Sequence, residues 1–158
     1  MIVDNDIHAA PRAQGMQAWI DRVKRLLADG GLVSFTPKGY SMWPTLRPTS
    51  DLVYLRAAAA YRRGDIVLAE CEGAPSGVVL HRVMAIADGR ATLMGDSNLR
   101  QTEVCDVGDI VGKVVSIDRH GCDVTDSMAT RLAAMVHRLP GPLRRFAVRA
   151  VNYRRTHK

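Results

Sequence analysis

A mainly β domain of short antiparallel strands, with an N-terminal helix and basic C-terminal helices, is the fold class predicted by this chain of 158 residues. Three observations carry the prediction. Between Leu32 and Val124, short β-type runs are separated by turn signals. On either side of that stretch, apolar residues recur at helical spacing. Strands and helices do not alternate along the chain, which argues against a parallel sheet built from βαβ units.

Residues 1 to 14 read as a mobile leader. Met16, Trp19, Ile20, Val23, Leu26 and Leu27 then form the apolar stripe of a helix that Gly30-Gly31 stops. Expected strands cover Leu32–Thr36, Asp51–Arg56, Asp65–Glu70, Val78–Ala87, Ala91–Met94, Ile110–Ile117 and Cys122–Thr125. Asp88-Gly89 is a hairpin turn, because both residue types tolerate positive φ, and His120-Gly121 is a second turn candidate. After Asp126, Leu132, Met135, Val136 and Leu139 mark one helix. Pro140-Gly141-Pro142 breaks it, and Leu143, Phe146, Ala147, Ala150 and Val151 mark another. The resulting divisions are 1–31 (leader and helix), 32–126 (β-domain) and 127–158 (basic helical tail).

Composition bounds the function classes. Hydrophobic residues at 47% and charged residues at 24% suit one globular domain with its own core. Cys71, Cys105 and Cys122 make an odd set without CxxC spacing, which fits small buried hydrophobes in a reducing compartment rather than a disulfide framework or zinc knuckle. Nothing in the sequence calls for a metal or a cofactor. The acidic start Met1-Ile2-Val3-Asp4-Asn5-Asp6 is unlike a secretory signal, and no apolar run is long enough to span a bilayer, so a cytoplasmic location is expected. The net charge of +6 belongs to the tail. Residues 127–158 carry eight Lys or Arg and no acid, leaving 14 basic against 16 acidic residues elsewhere (22 less 8).

Ser41 sits in Gly39-Tyr40-Ser41-Met42-Trp43-Pro44-Thr45. A serine is a weak nucleophile until a base takes its proton. Gly39 allows close backbone approach, and Pro44 stiffens the step after Trp43. The backbone N–H of Ser41 suits an oxyanion, and Gly39, Met42 and Trp43 would border the substrate groove. His81 lies on a strand with Val79 and Val83 on its face, and an imidazole titrating near ~6.5 can act as a base near neutrality. Asp96, in Gly95-Asp96-Ser97-Asn98 after a strand, could accept the Nδ1–H of His81. Each has a plainer reading: a surface turn for Ser41, a hydrogen-bonded strand histidine for His81, a local turn for Asp96.

Taken in order, the Ser41 heptapeptide, Arg63-Gly64-Asp65-Ile66-Val67, His81-Arg82-Val83 and Gly95-Asp96-Ser97-Asn98 resemble the boxes of the signal peptidase/LexA clan of serine proteases. Val107-Gly108-Asp109-Ile110-Val111-Gly112-Lys113 resembles the clan's closing strand, so the likeness spans roughly residues 32 to 117. It implies a coiled antiparallel β fold that binds an extended peptide by strand addition. It also implies Ser41 as nucleophile, His81 as base (as in the archaeal and endoplasmic-reticulum signal peptidases), Asp96 as the matching acid and Asp65 as structural.

Three departures accompany the likeness. Gly39 stands where many signal peptidases have a serine that helps bind the oxyanion. Leu99-Arg100-Gln101-Thr102 stands where the endoplasmic-reticulum type has an acidic pair, with Glu103 and Asp106 only later. The stretch before residue 32 has no room for a membrane anchor or a DNA-binding domain. The expectation is a serine endopeptidase that matures a peptide or protein precursor, with an anionic membrane surface or an acidic partner as the candidate contact of the tail's second basic helix. The rivals are a non-catalytic peptide-binding module and a peripheral membrane adaptor. Nucleic acid has charge in its favour but no recognition motif. The tail's plainer reading is that its apolar face packs on the β-domain and its arginines stay in water.

Overall fold

The computed structural model describes residues 4–6 and 15–156. One nine-stranded sheet organises them: β1 (Asp4–Asp6), β2 (Leu32–Phe35), β3 (Asp51–Arg56), β4 (Ile66–Glu70), β5 (Val78–Ala87), β6 (Arg90–Met94), β7 (Glu103–Asp106), β8 (Ile110–Arg119) and β9 (Cys122–Asp123). The strand order is β1-β2-β3-β8-β4-β5-β6-β7, with β9 folding back on β8. Every pairing is antiparallel except β1 on β2, so the expected mainly antiparallel β architecture is present.

Both expected tight turns form with positive φ at both positions, 51° and 74° at Asp88-Gly89, 55° and 83° at His120-Gly121. Register shifts interrupt β3 against β8, β4 against β8 and β5 against β6, and such bulges sharpen local twist.

Two strands lie outside the expected set. Asp4–Asp6, in the stretch read as a leader, pairs with β2 in parallel from Asp4 opposite Leu32; the rest of residues 1–14 lies outside the described residues. The triplet Asp-Asn-Asp has poor strand propensity, so the pairing reflects what the edge of β2 offers rather than local preference. β7 is the second, a polar Glu-Val-Cys-Asp segment that completes the sheet beyond β6.

Alternation along the strands divides the core in two. On one side, Ile66 and Leu68 of β4 join Val53, Leu55, Val114 and Ile117 beneath helix α1 (Met16–Ala28). Trp19, Ile20, Val23 and Leu27 of α1 enter that cluster, and Trp19 meets Phe35 edge to face at 5.2 Å. On the other side, Val67 and Ala69 join Val83, Ala91, Leu93, Cys71 and Cys105. Cys71 and Cys105 are the small buried hydrophobes expected; Cys122 is exposed. Asp65 links strands, as a structural residue would, through Lys113 Nζ at 2.8 Å.

Two helices follow, α2 (Met128–Val136) and α3 (Gly141–Thr156). The Ser127 hydroxyl caps α2 by accepting the Thr130 N–H. Among the described residues no helix is long and apolar enough to cross a membrane.

Candidate active site

Ser41 lies on a turn held at both ends. Gly39 has φ +87°, a conformation that would strain any residue with a Cβ. The Trp43 N–H donates to Tyr40 O at 3.0 Å and the Leu46 N–H to Met42 O at 2.9 Å. Beyond them, Arg119 of β8 donates through Nε and Nη2 to the buried Asp51 at 2.7 and 2.6 Å, and Nη2 reaches Thr45 O at 3.3 Å. Burial pushes the Asp51 carboxyl up, but the bonds from Arg119 and the Arg47 N–H leave it below its ordinary range.

Beneath the serine lies the Gly95–Asn98 segment. A Cβ on Gly95 would sit 2.5 Å from Ser41 O, 3.0 Å from Ser41 Cβ and 3.1 Å from Asn98 Cγ, so only glycine lets the two loops touch. The Ser97 N–H donates to Ser41 O at 2.8 Å, and its hydroxyl lies 2.8 Å from Tyr40 O and 3.0 Å from Ser41 O. Asn98 is consequently a close neighbour of Ser41.

The expected contact from His81 to Asp96 does not form. The imidazole Nδ1 lies 2.8 Å from Glu103 Oε2, and both side chains are nearly buried. Asp96 is engaged by Arg82, whose Nε and Nη2 donate at 2.8 and 2.7 Å, and by the Thr45 hydroxyl. The reason is sheet geometry. His81 and Arg82 are successive strand residues, so they face opposite sides, and an acid bound to one is misplaced for the other. Glu103 lies opposite Leu93, which lies opposite Val83, the residue sharing a face with His81. Burial pushes the Asp96 carboxyl up, but Arg82, His137 and Thr45 together hold it down at about 2. Asp96 is thus a buried anion near neutral pH that joins the Ser41 turn to β5.

Ser41, His81 and Glu103 line one cavity of about 270 Å³, together with Gly39, Met42, Asn98 and Gln101. Among the described residues Ser41 Oγ makes no hydrogen bond. Gly39 and Met42 border the cavity as expected, although Met42 is mostly sunk in the core. Trp43 does not; it stacks with Arg47, whose guanidinium carbon lies 5.7 Å from the ring centroid.

One wall is the first half of β5. Val78 to His81 pair with β4, whereas β6 pairs only from Arg82 onward, so the backbone edge beside the cavity is open. A second cavity of about 270 Å³ shares Pro37, Lys38, Ser76 and Val78 to Leu80 and extends the groove to Met16, Trp19 and Phe35.

The tail closes over the back of the site. Arg144 of α3 donates to Asn98 O at 3.2 Å and Leu99 O at 2.7 Å, and Asn152 Nδ2 donates to Ser97 O at 3.0 Å. His137, buried after α2, brings Nε2 within 3.0 Å of Asp96 Oδ1, though not in line for a hydrogen bond. The tail matches its plainer reading only in part, since Arg131, Arg138 and Arg149 stay exposed and Val136 and Val151 are half-buried. Leu132, Met135 and Leu139 are exposed rather than packed, while Ala133, His137 and Val148 are buried. Arg144 leaves water to cap loop carbonyls.

No protein-family model matches the chain, and no curated protein matches it. The sequence shows Glu103 only as a late acid, and its pairing with His81 was hidden because β7 was; sequence reasoning found no work for Asn98. The available signal was the Glu-Val-Cys-Asp alternation, in which Glu and Cys share a face.

Proposed function

We propose that the protein is a serine endopeptidase of signal peptidase/LexA-like type, in which Ser41 is the nucleophile, His81 the general base and Glu103 the acid that orients it. The supporting observation is the shared cavity: an uncommitted serine hydroxyl and a histidine whose Nδ1 is held by a carboxylate. With Nδ1–H donating to Glu103, the lone pair rests on Nε2, the nitrogen able to take the Ser41 proton.

Attack of Oγ on the scissile carbonyl forms a C–O bond and an oxyanion, for which the Ser41 N–H and the Asn98 amide are the nearby donors. Collapse breaks the C–N bond, and the imidazolium gives its proton to the leaving amine. Water then attacks the acyl-enzyme with His81 again as base, which releases the acid and restores Ser41. The open edge of β5 would hold the substrate extended by main-chain hydrogen bonds, and the groove toward Trp19 and Phe35 would take apolar side chains. A precursor presenting an extended, partly apolar segment is the substrate class this groove fits.

The test uses a fluorophosphonate probe, which needs an activated serine but no knowledge of the substrate. Peptide mass spectrometry should find the adduct on Ser41, absent in Ser41→Ala and formed far more slowly in His81→Ala. A folded protein that never labels at Ser41 would replace this reading with a non-catalytic peptide-binding module using the same groove.

A further inference from the structure

The α2–α3 hairpin combines two properties that a helix pair folded only against its own domain does not need. Most of the large apolar side chains left exposed among the described residues lie here. Met128, Leu132 and Met135 recur at i, i+4 and i+7 on α2, Leu139 follows in the turn, and Leu143 and Phe146 begin α3. Phe146 is 75% exposed and Met135 66%, while Ala133 and Val148 are buried.

The second property is charge. Arg131, Arg138 and Arg149 are exposed between those apolar residues, and the segment from residue 127 onward contains no acid to neutralise them. Burial, and after it the neighbouring Arg145, push the Arg144 guanidinium below its ordinary value.

We infer that this hairpin is a docking surface for an anionic lipid bilayer, lying in the headgroup region with Leu132, Met135 and Phe146 below the phosphates and the arginines among them. Charge complementarity selects this occupant, since residues 127–158 carry eight Lys or Arg and no acid. A bilayer rewards both halves of the pattern, cations at the headgroups and apolar side chains just beneath. Nucleic acid would reward the arginines and leave the exposed methionine, leucine and phenylalanine side chains in water. Arg144 and Asn152 tie α3 to the Ser97–Leu99 carbonyls, so docking would fix the Ser41 cavity at a set height above the membrane. The inference does not depend on Ser41 being reactive.

The experiment is co-sedimentation of the full chain with vesicles of phosphatidylcholine alone or mixed with phosphatidylglycerol. Binding is expected only with phosphatidylglycerol and should weaken as salt rises. Phe146→Glu and Met135→Glu, both exposed and so compatible with an unchanged melting temperature, should each weaken it by more than about tenfold. Arg131→Gln and Arg149→Gln should each weaken it about fivefold. Ser41→Ala should bind like the parent chain, which separates this outcome from any failure of the protease reading. The inference is overturned if the phosphatidylglycerol vesicles do not bind. It is equally overturned if the glutamate variants bind unchanged, or if those variants instead abolish self-association of the chain.

Discussion

Replacing Gly95 with alanine adds one methyl group at the tightest point of the site. Its Cβ would stand 2.5 Å from Ser41 O, so the carbonyl must recede by about 0.9 Å to reach ordinary contact at 3.4 Å. The obstacle is backbone, and it is already held by the Ser97 N–H at 2.8 Å, so relief requires breaking that bond or moving the whole nucleophile turn. Overpacking of this kind costs about 1–3 kcal/mol. Displacing a nucleophile by close to 1 Å costs on the order of 10²-fold in rate.

The assay pairs urea denaturation with the second-order rate of fluorophosphonate labelling at Ser41. Gly108→Ala is the control, because a Cβ there meets nothing within 4 Å. The expected result is a loss of stability and a labelling rate about 10²-fold lower for Gly95→Ala, with Gly108→Ala near the parent on both. A Gly95→Ala variant with parental stability and labelling would refute the claim that the Gly95–Asn98 segment is the bed of the nucleophile.

Three other outcomes follow from the geometry. Glu103→Gln should lower Ser41 labelling by about 10²- to 10⁴-fold with little loss of fold, because the amide no longer selects the useful tautomer of His81; an unchanged rate would remove Glu103 from the site. The Asp96 carboxyl is held at about 2, below its ordinary 3.8, so it stabilises the fold fully above pH 3.8. About 2 kcal/mol should be lost as pH falls from there toward 2, and urea titrations across that window would read it as a slope. Cys122 should alkylate quickly in the folded protein. Cys71, pushed up to about 12 chiefly by burial, and Cys105, also raised by burial, should react only on unfolding, as mass spectrometry of iodoacetamide adducts would show.

Much of the fold was legible because its strands are apolar and its turns chemically marked. β3 and β5 begin and end where the sequence puts them, and Asp88-Gly89 turns the chain as its residue types require. What stayed hidden was stabilised from a distance. β1 is an acidic triplet with no strand preference, extended because β2 offers an edge. β7 is four residues with alternating exposure, too short and polar to register beside its neighbours. The tail's periodicity was visible, but its stripe alone did not say which side would turn inward, and the exposed row Leu132, Met135, Leu139 proved to be the one facing solvent.

The same distinction governs the site. Ser41 and His81 could be singled out because serine and histidine in such settings are recognisable candidates for a nucleophile and a base, and both line one cavity. The acid was not, because sequence order favours the carboxylate nearest a strand end, whereas hydrogen bonding follows the face of the sheet. Once Arg82 lies on the face opposite His81, its buried guanidinium needs a carboxylate of its own, and Asp96 supplies it with two bonds. The segment around Asp96 then becomes the support on which the Ser41 turn, β5 and the tail converge, through Thr45, Arg82 and His137 respectively. Orienting His81 falls to Glu103, two strands away across β6 but on the same face. Alternation within one strand thus separates the anion that supports the Ser41 turn from the anion that holds His81.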